Sequence, residues 1–393
     1  MAYQPGRHFL QLPGPTNTPL AVLQAMAKPT IDHRGPEFGA LGLEVLAAIK
    51  TVFNTAQPVI IFPTSGSGAW ESALVNVLSP GDKVLMYETG HFATLWSKIA
   101  SRLGYEPELI KGDWRAGVDA AAIGARLAED REHTIKAVAV VHNETSTGVL
   151  SDIAAVRRAI DAANHPALLM VDNVSSLGGV DYRHDEWGVD VTVSASQKGL
   201  MLPPGIAFNA ISQKAIAASK TAKTPRSYWD WDDMLAANRT GYFPYTPNTN
   251  LLQGLKVGLE LLHEEGLEQV FARHERGAEA TRRAVQAWGL ELQCRNPSEY
   301  SPILTAVRMP QGHSADKLRG EILTRYNMSL GSGLGQLADK VFRIGHLGDF
   351  HDLMTTGTLT GVEMGLKVAG VPHQPGGVDA AMTYLAGNAA PVG

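Results

Sequence analysis

The stretch IKAVAVVHNETSTGVLSDIAAVRRAIDAANHPALLMVD, residues 135–172, decides the fold. It opens on a short apolar run (135–142) and closes on another (165–172), each of a length suited to a buried strand. Between them DIAAVRRAIDAAN (152–164) carries a helical pattern. A strand, a helix and a strand in that order form the repeating unit of a parallel sheet covered by helices.

Outward from this unit the alternation continues. PVIIFP (58–63) and KVLMYE (83–88) read as further strands, and GAWESALVNVL (68–78) and TLWSKIASRLG (94–104) as helices. VDVTVSAS (189–196) adds another buried strand. From about residue 249 the pattern LLQGLKVGLELLHEEGLEQVFARHERGAEATRRAVQAWG is helical, and a second α/β segment follows it. The expected organisation is an N-terminal arm over 1–20, a large domain over 21–260 and a smaller C-terminal domain over 261–393. A chain of 393 residues is long enough for two cores.

Composition narrows the function. The chain is 44% hydrophobic and 19% charged, as ordinary globular proteins are. Its formal net charge of -5, with no long run of Lys and Arg, argues against a nucleic-acid partner. No apolar stretch approaches the roughly 18 residues of a membrane span, and the N-terminus has no signal-peptide core, so a cytoplasmic protein is expected. One cysteine, Cys294, leaves no internal disulfide and suits a reduced compartment. No metal site is expected.

In an open α/β sheet, ligands bind beyond the carboxyl ends of the strands. The residues there are Ser65-Gly66-Ser67-Gly68, Gly90-His91-Phe92, Asn143-Glu144-Thr145, Asp172-Asn173-Val174 and Gln197-Lys198. The turn TSGSGAWE offers glycines and helix N-terminal amides to a phosphate, or is a plain helix cap. Asp172 ends an apolar run, where a carboxylate is costly without a cation; a turn cap is its other reading. Lys198 ends VTVSAS, where partly apolar surroundings disfavour an ammonium and favour an amine nucleophile; taken alone it reads first as a solvated lysine. A phosphate cradle, a carboxylate and a Schiff-base lysine together are what pyridoxal phosphate (PLP) requires of a protein, and Phe92 supplies an aromatic plane. Arg343, in KVFRIGHLG, is suited to a bidentate hold on a substrate carboxylate or to an interdomain ion pair, and Arg34 in TIDHRGPEFG is similar.

With these residues assembled, the chain resembles the class V, fold-type I PLP-dependent aminotransferases, closest to the serine-glyoxylate and alanine-glyoxylate subgroup. The resemblance runs through LPGPTNTP, DHRGPEF, FPTSGSGAWESALVNVLSPGD, HNETSTGV, DEWGVDVTVSASQKG, GYFPYTP and DKVFRIGHLGD, nearly the whole chain. It implies a large domain with a mostly parallel seven-stranded sheet and a smaller C-terminal α/β domain. It implies that Lys198 forms the Schiff base and that Asp172 pairs with the pyridine nitrogen. Ser67, Gly68, Ala69 and Gln197 would contact the phosphate, Phe92 and Val174 would pack on the two ring faces, and Thr145 would meet the ring hydroxyl. Thr246 would reach the phosphate of the other subunit of a homodimer, with Tyr242 and Tyr245 both candidates for the tyrosine beside it. Arg343 would bind the substrate carboxylate, with His33 and Arg34 lining the pocket from across the interface. The implied reaction moves an amino group from L-serine or alanine to glyoxylate, giving glycine and hydroxypyruvate or pyruvate.

Aspartate as donor is the nearest alternative. A desulfurase-type lyase would need Cys294 as a mobile catalytic cysteine. A non-catalytic nucleotide- or phosphate-binding protein would rest on GSGLGQ (331–336), which lacks the strand, helix and acidic residue of the dinucleotide fingerprint. TSGSGA likewise lacks the first glycine of a serine-hydrolase elbow.

Overall fold

The computed structural model describes residues 6–388. Along the strand Ile135–Val141, alternate residues enter two different cores: Ala137 and Ala139 lie with Trp70, Met86 and Met170, and Val138 and Val140 with Leu85, Leu169 and Val171. Burial on both faces is why these strands are apolar at every position rather than at every second one.

The strands in chain order are β1 (Phe9–Gln11), β2 (Val59–Phe62), β3 (Lys83–Tyr87), β4 (Glu106–Ile110), β5 (Ile135–Val141), β6 (Asn143–Glu144), β7 (Val149–Leu150) and β8 (Leu168–Asp172). They continue with β9 (Val191–Ala195), β10 (Ala207–Ile211), β11 (Glu291–Leu292), β12 (Leu304–Arg308), β13 (Met328–Ser332) and β14 (Val341–Gly345). Seven form the large sheet, in the order β2-β10-β9-β8-β5-β3-β4. Only β10 runs against its neighbours, β2 and β9; the other pairs are parallel. This is the mostly parallel seven-stranded α/β sheet expected.

A second sheet, β1-β13-β14-β12-β11, packs on helices Leu267–Ala287, Ala315–Tyr326, Asp352–Val368 and Gly377–Gly387 around its own core of Val285, Trp288, Ile322, Phe342 and Leu359. β1 joins it in parallel with β13, so part of the N-terminal arm is built into the C-terminal sheet. Residue 260 falls inside the helix Thr249–Glu265; the chain turns at Gly266, whose φ of +83° suits glycine. The long helical pattern is therefore two helices, broken at that glycine.

Candidate active site

The parallel strands deliver their carboxyl ends to one side of the large sheet, and a cavity of about 220 Å3 opens there. Ser65, Gly66, Ser67, Phe92, Thr145, Asp172, Val174, Gln197 and Lys198 all line it. Gly14, Pro15, Trp70, Val141, Asn143 and Pro204 complete the wall.

The β2 side supplies a helix N-terminus. Ser65 precedes the helix Gly66–Val77 in extended conformation and makes no side-chain cap, so the first-turn amides have no side-chain acceptor from it. The turn is tight: a Cβ on Gly68 would lie 2.1 Å from Thr64 Oγ1, so any other residue there must displace the Thr64 side chain. Gly68 and Ala69 belong to the same first turn but do not line the cavity. Gln197 lines the same cavity, and its Oε1 is buried without a partner.

Asp172, the last residue of β8, is nearly fully buried. Its Oδ1 accepts the Val174 N–H at 2.7 Å and its Oδ2 the Trp70 indole N–H at 3.1 Å. Burial pushes its carboxyl up from an ordinary 3.8 to about 7; the Val174 amide opposes the rise, nearby Glu144 adds to it, and Trp70 and Lys198 oppose it. Lys198 follows β9 and is buried as well. Desolvation lowers its ammonium from 10.5 to about 7, with Arg343 adding to the fall and Asp172 resisting it. An acid and an amine, each moved toward neutrality, thus face one cavity.

Lys198 is roofed by the N-terminal segment. Its Nζ donates to the Pro13 carbonyl at 2.5 Å, Thr16 Oγ1 donates to the Lys198 carbonyl at 3.0 Å, and the Thr16 N–H to the Gln197 carbonyl at 3.2 Å. A Cβ on Gly14, where φ is +109°, would sit 2.3 Å from the lysine side chain. Sequence patterning alone did not assign Pro13, Gly14 and Pro15 to the site, because they follow no strand of the large sheet. Trp70 was missed as well; it lies four residues into a helix, where an aromatic reads as core.

Arg343 is buried in β14 next to this cavity. Nε donates to the Ser332 carbonyl at 2.7 Å and Nη1 to the Thr145 carbonyl at 2.8 Å. Burial lowers its guanidinium to about 10. Among the described residues no carboxylate pairs with it and Nη2 makes no hydrogen bond, so the interdomain ion pair considered for it is not formed.

His33, Arg34, Tyr242, Tyr245 and Thr246 do not line this cavity. Arg34 and Thr246 are exposed. His33 is half-buried with an unpartnered Nε2. Tyr242 donates its hydroxyl to the Gly35 carbonyl at 3.3 Å, whereas Tyr245 stacks on Tyr228 with ring centroids 4.9 Å apart. Cys294 is also elsewhere: burial raises its thiol to about 11, and its Sγ donates to the Asn296 and Glu299 carbonyls. A protonated, tied thiol is not a desulfurase nucleophile.

The family model for class V aminotransferases matches residues 8–337. The chain belongs to the class V aminotransferases. It is 47% identical to a serine-glyoxylate aminotransferase of Arabidopsis thaliana over 98% of this chain and 96% of that one. It is also 47% identical to an L-aspartate-glyoxylate aminotransferase of Paracoccus denitrificans, over 95% of each chain. Among solved structures, pyridoxamine-pyruvate aminotransferase from Mesorhizobium loti superposes with a TM-score of 0.90 at 28% identity, covering 97% of both chains. This class V enzyme is therefore an aminotransferase of fold type I.

Proposed function

We propose that the protein is a PLP-dependent serine-glyoxylate aminotransferase, transferring the amino group of L-serine to glyoxylate to give hydroxypyruvate and glycine. The observation that carries this is the pairing of Lys198 and Asp172 across one cavity, both with proton affinities moved to near neutrality, beside an uncapped helix N-terminus. These residues fit PLP: amides at the start of the helix Gly66–Val77 and the Nε2 donor of the cavity-lining Gln197 suit its phosphate, and Asp172 suits its ring nitrogen. Phe92 and Val174 suit the two ring faces, and Thr145 suits the ring hydroxyl. When bound, PLP supplies an aldehyde that condenses with amines and a ring that accepts the electron pair released at the donor's α-carbon.

The chain's own residues do the rest. Lys198 Nζ, partly neutral near pH 7, would hold the cofactor covalently at rest and, once freed, would take the proton from the donor's Cα and deliver it to the carbon that had carried the cofactor's aldehyde. Asp172 would hold a proton at the ring nitrogen. Arg343 offers its free Nη2 to the carboxylate of donor or oxo acid, held in place by its bonds to the Ser332 and Thr145 carbonyls. The strap of Pro13 to Thr16 closes the lysine side against water.

Exposure of Thr246 and of Arg34, and the unpartnered His33, support a homodimer in which these residues and Tyr242 or Tyr245 serve the cavity of the other subunit. The single cysteine supports a reducing compartment, the cytoplasm, and no described helix is long and apolar enough to cross a membrane. The division into arm, large domain and small domain is part of the same reading, with the passage between the last two at Gly266.

Serine is favoured as donor because serine-glyoxylate enzymes from three organisms match at 47–49% identity over nearly the whole chain. Half-reaction spectra of the PLP-loaded protein with serine, alanine and aspartate test this. Serine should convert the bound cofactor to its aminated form fastest. Faster conversion by aspartate overturns the donor, and no conversion by any amino acid overturns the amino-transfer reading.

A further inference from the structure

Glu144 is fully buried, lies outside the cavity lining and carries no salt bridge among the described residues. Every contact it makes is with a donor. Its Oε1 accepts the Phe92 N–H at 3.3 Å, the Ser146 N–H at 3.1 Å and the Ser146 hydroxyl at 2.6 Å. Its Oε2 accepts the Ala93 N–H at 3.1 Å, and Ser146 Oγ in turn accepts the His91 N–H at 2.9 Å. The helix His91–Arg102 has no side-chain cap of its own at Gly90. Its first three amides are satisfied instead by two side chains from the β6–β7 hairpin, and a carboxylate is suited to a helix N-terminus.

The fit is tight. A Cβ on Gly90 would lie 2.5 Å from Glu144 Cγ and 2.5 Å from Ser146 Oγ. Two walls of the cavity are joined through this one carboxylate. Phe92, whose amide it holds, is one; Thr145, its neighbour in the chain, is the other, and the Thr145 carbonyl holds Arg343.

We infer that Glu144 is a positioning residue for amino transfer, fixing the Phe92 ring over the cofactor and the Thr145–Arg343 contact at the substrate end through one buried carboxylate. It touches neither cofactor nor substrate and acts through both neighbours. Glutamine in its place keeps one acceptor but turns an N–H toward N–H donors. The inference rests on the amino-transfer reading of the same cavity.

The test uses the full chain and PLP as probe. Glu144→Gln and Glu144→Ala are compared with wild type and with Asp119→Ala, which removes the cap of the remote helix Ala120–Glu129. Measured are the PLP dissociation constant, the visible circular dichroism of bound PLP, the KM for the donor and the unfolding midpoint. The Glu144 variants should bind PLP about tenfold more weakly, the equivalent of one charged hydrogen bond, with a diminished dichroic band and a raised KM. Asp119→Ala should lose stability but keep all three at wild-type values. If either variant fails to fold, Ser146→Ala, which leaves the carboxylate in place, should show the same changes at smaller size. Affinity and dichroism within twofold of wild type in the folded variants, with only stability lowered, would overturn the inference. Wild type that does not bind PLP overturns the amino-transfer reading instead.

Discussion

Replacing Asp172 by asparagine should make the cofactor-free protein more stable at alkaline pH while removing its activity. The wild-type carboxyl is raised by burial from 3.8 to about 7. A folded-state value above the unfolded one contributes stability that is fully present below pH 3.8 and is lost as pH rises through about 7. Each pH unit within that window costs about 1.36 kcal/mol. Between about pH 5.5 and about pH 8.5 only the part below 7 counts, so wild type loses about 2 kcal/mol from this group. Asparagine does not titrate. Its Oδ1 keeps the Val174 N–H bond, and its Nδ2 meets the Trp70 N–H without an acceptor, which costs about 1 kcal/mol at every pH. The difference in unfolding free energy, variant minus wild type, should therefore move in the variant's favour by about 2 kcal/mol across that range. Urea denaturation of PLP-stripped protein at the two pH values measures it; groups remote from Asp172 cancel in the difference, and Lys198, whose ammonium loses the support of Asp172 in the variant, moves it further in the same direction. A difference that does not change with pH, or that moves toward wild type, refutes the reasoning.

Other outcomes follow from the same geometry. Four buried histidines, His142, His274, His346 and His184, are held well below the ordinary 6.5, the first three at about 3 and the last at about 4, with desolvation the leading cause. Their contribution is present above 6.5 and is lost as pH falls toward those values, so wild-type stability should drop steadily below pH 6.5 despite the opposite trend at Asp172; a flat urea midpoint down to about pH 4.5 contradicts this. Arg343→Lys exchanges a fork held by two carbonyls for a point charge and should raise the donor KM about tenfold or more with a smaller change in kcat; an unchanged KM removes Arg343 from substrate binding. Gly345→Ala would set a Cβ 2.1 Å from the Leu12 carbonyl oxygen and 2.6 Å from Pro13 N, so the strap over Lys198 must move. Water then reaches the lysine, and its titration, followed by amine modification of the PLP-free protein against pH, should rise from about 7 toward 10.5; an unmoved titration means the strap does not control it.

The strands that carry the site were legible because burial on both faces leaves continuous apolar runs, as in Ile135–Val141 and Leu168–Asp172. Two strands of the same sheet were not. β4, at the edge, is partly exposed and includes Pro107 and two glutamates, and β10 runs antiparallel after two prolines with Asn209 at its centre. Helix starts were also misplaced: the helices begin at Gly66 and His91, a few residues before the apolar pattern that marked them, because their first turns serve the cavity rather than the core. Lys198, Asp172 and the Ser-Gly turn could be found from strand ends alone. The Pro13–Thr16 strap and Trp70 could not, since each reaches the site through contacts more than 50 residues away in the chain; Glu144 stands at a strand end, but its part in the site could not be read there, because its carboxylate is taken up by the distant helix His91–Arg102.

The central claim is that Lys198 is the amine that carries the cofactor. Borohydride reduction of the PLP-loaded protein, followed by peptide mapping, tests it directly. The label should fall on the peptide containing VSASQKG, at Lys198, and Lys198→Ala should take up none. Label on a different lysine, or equal labelling of the variant, would contradict the account.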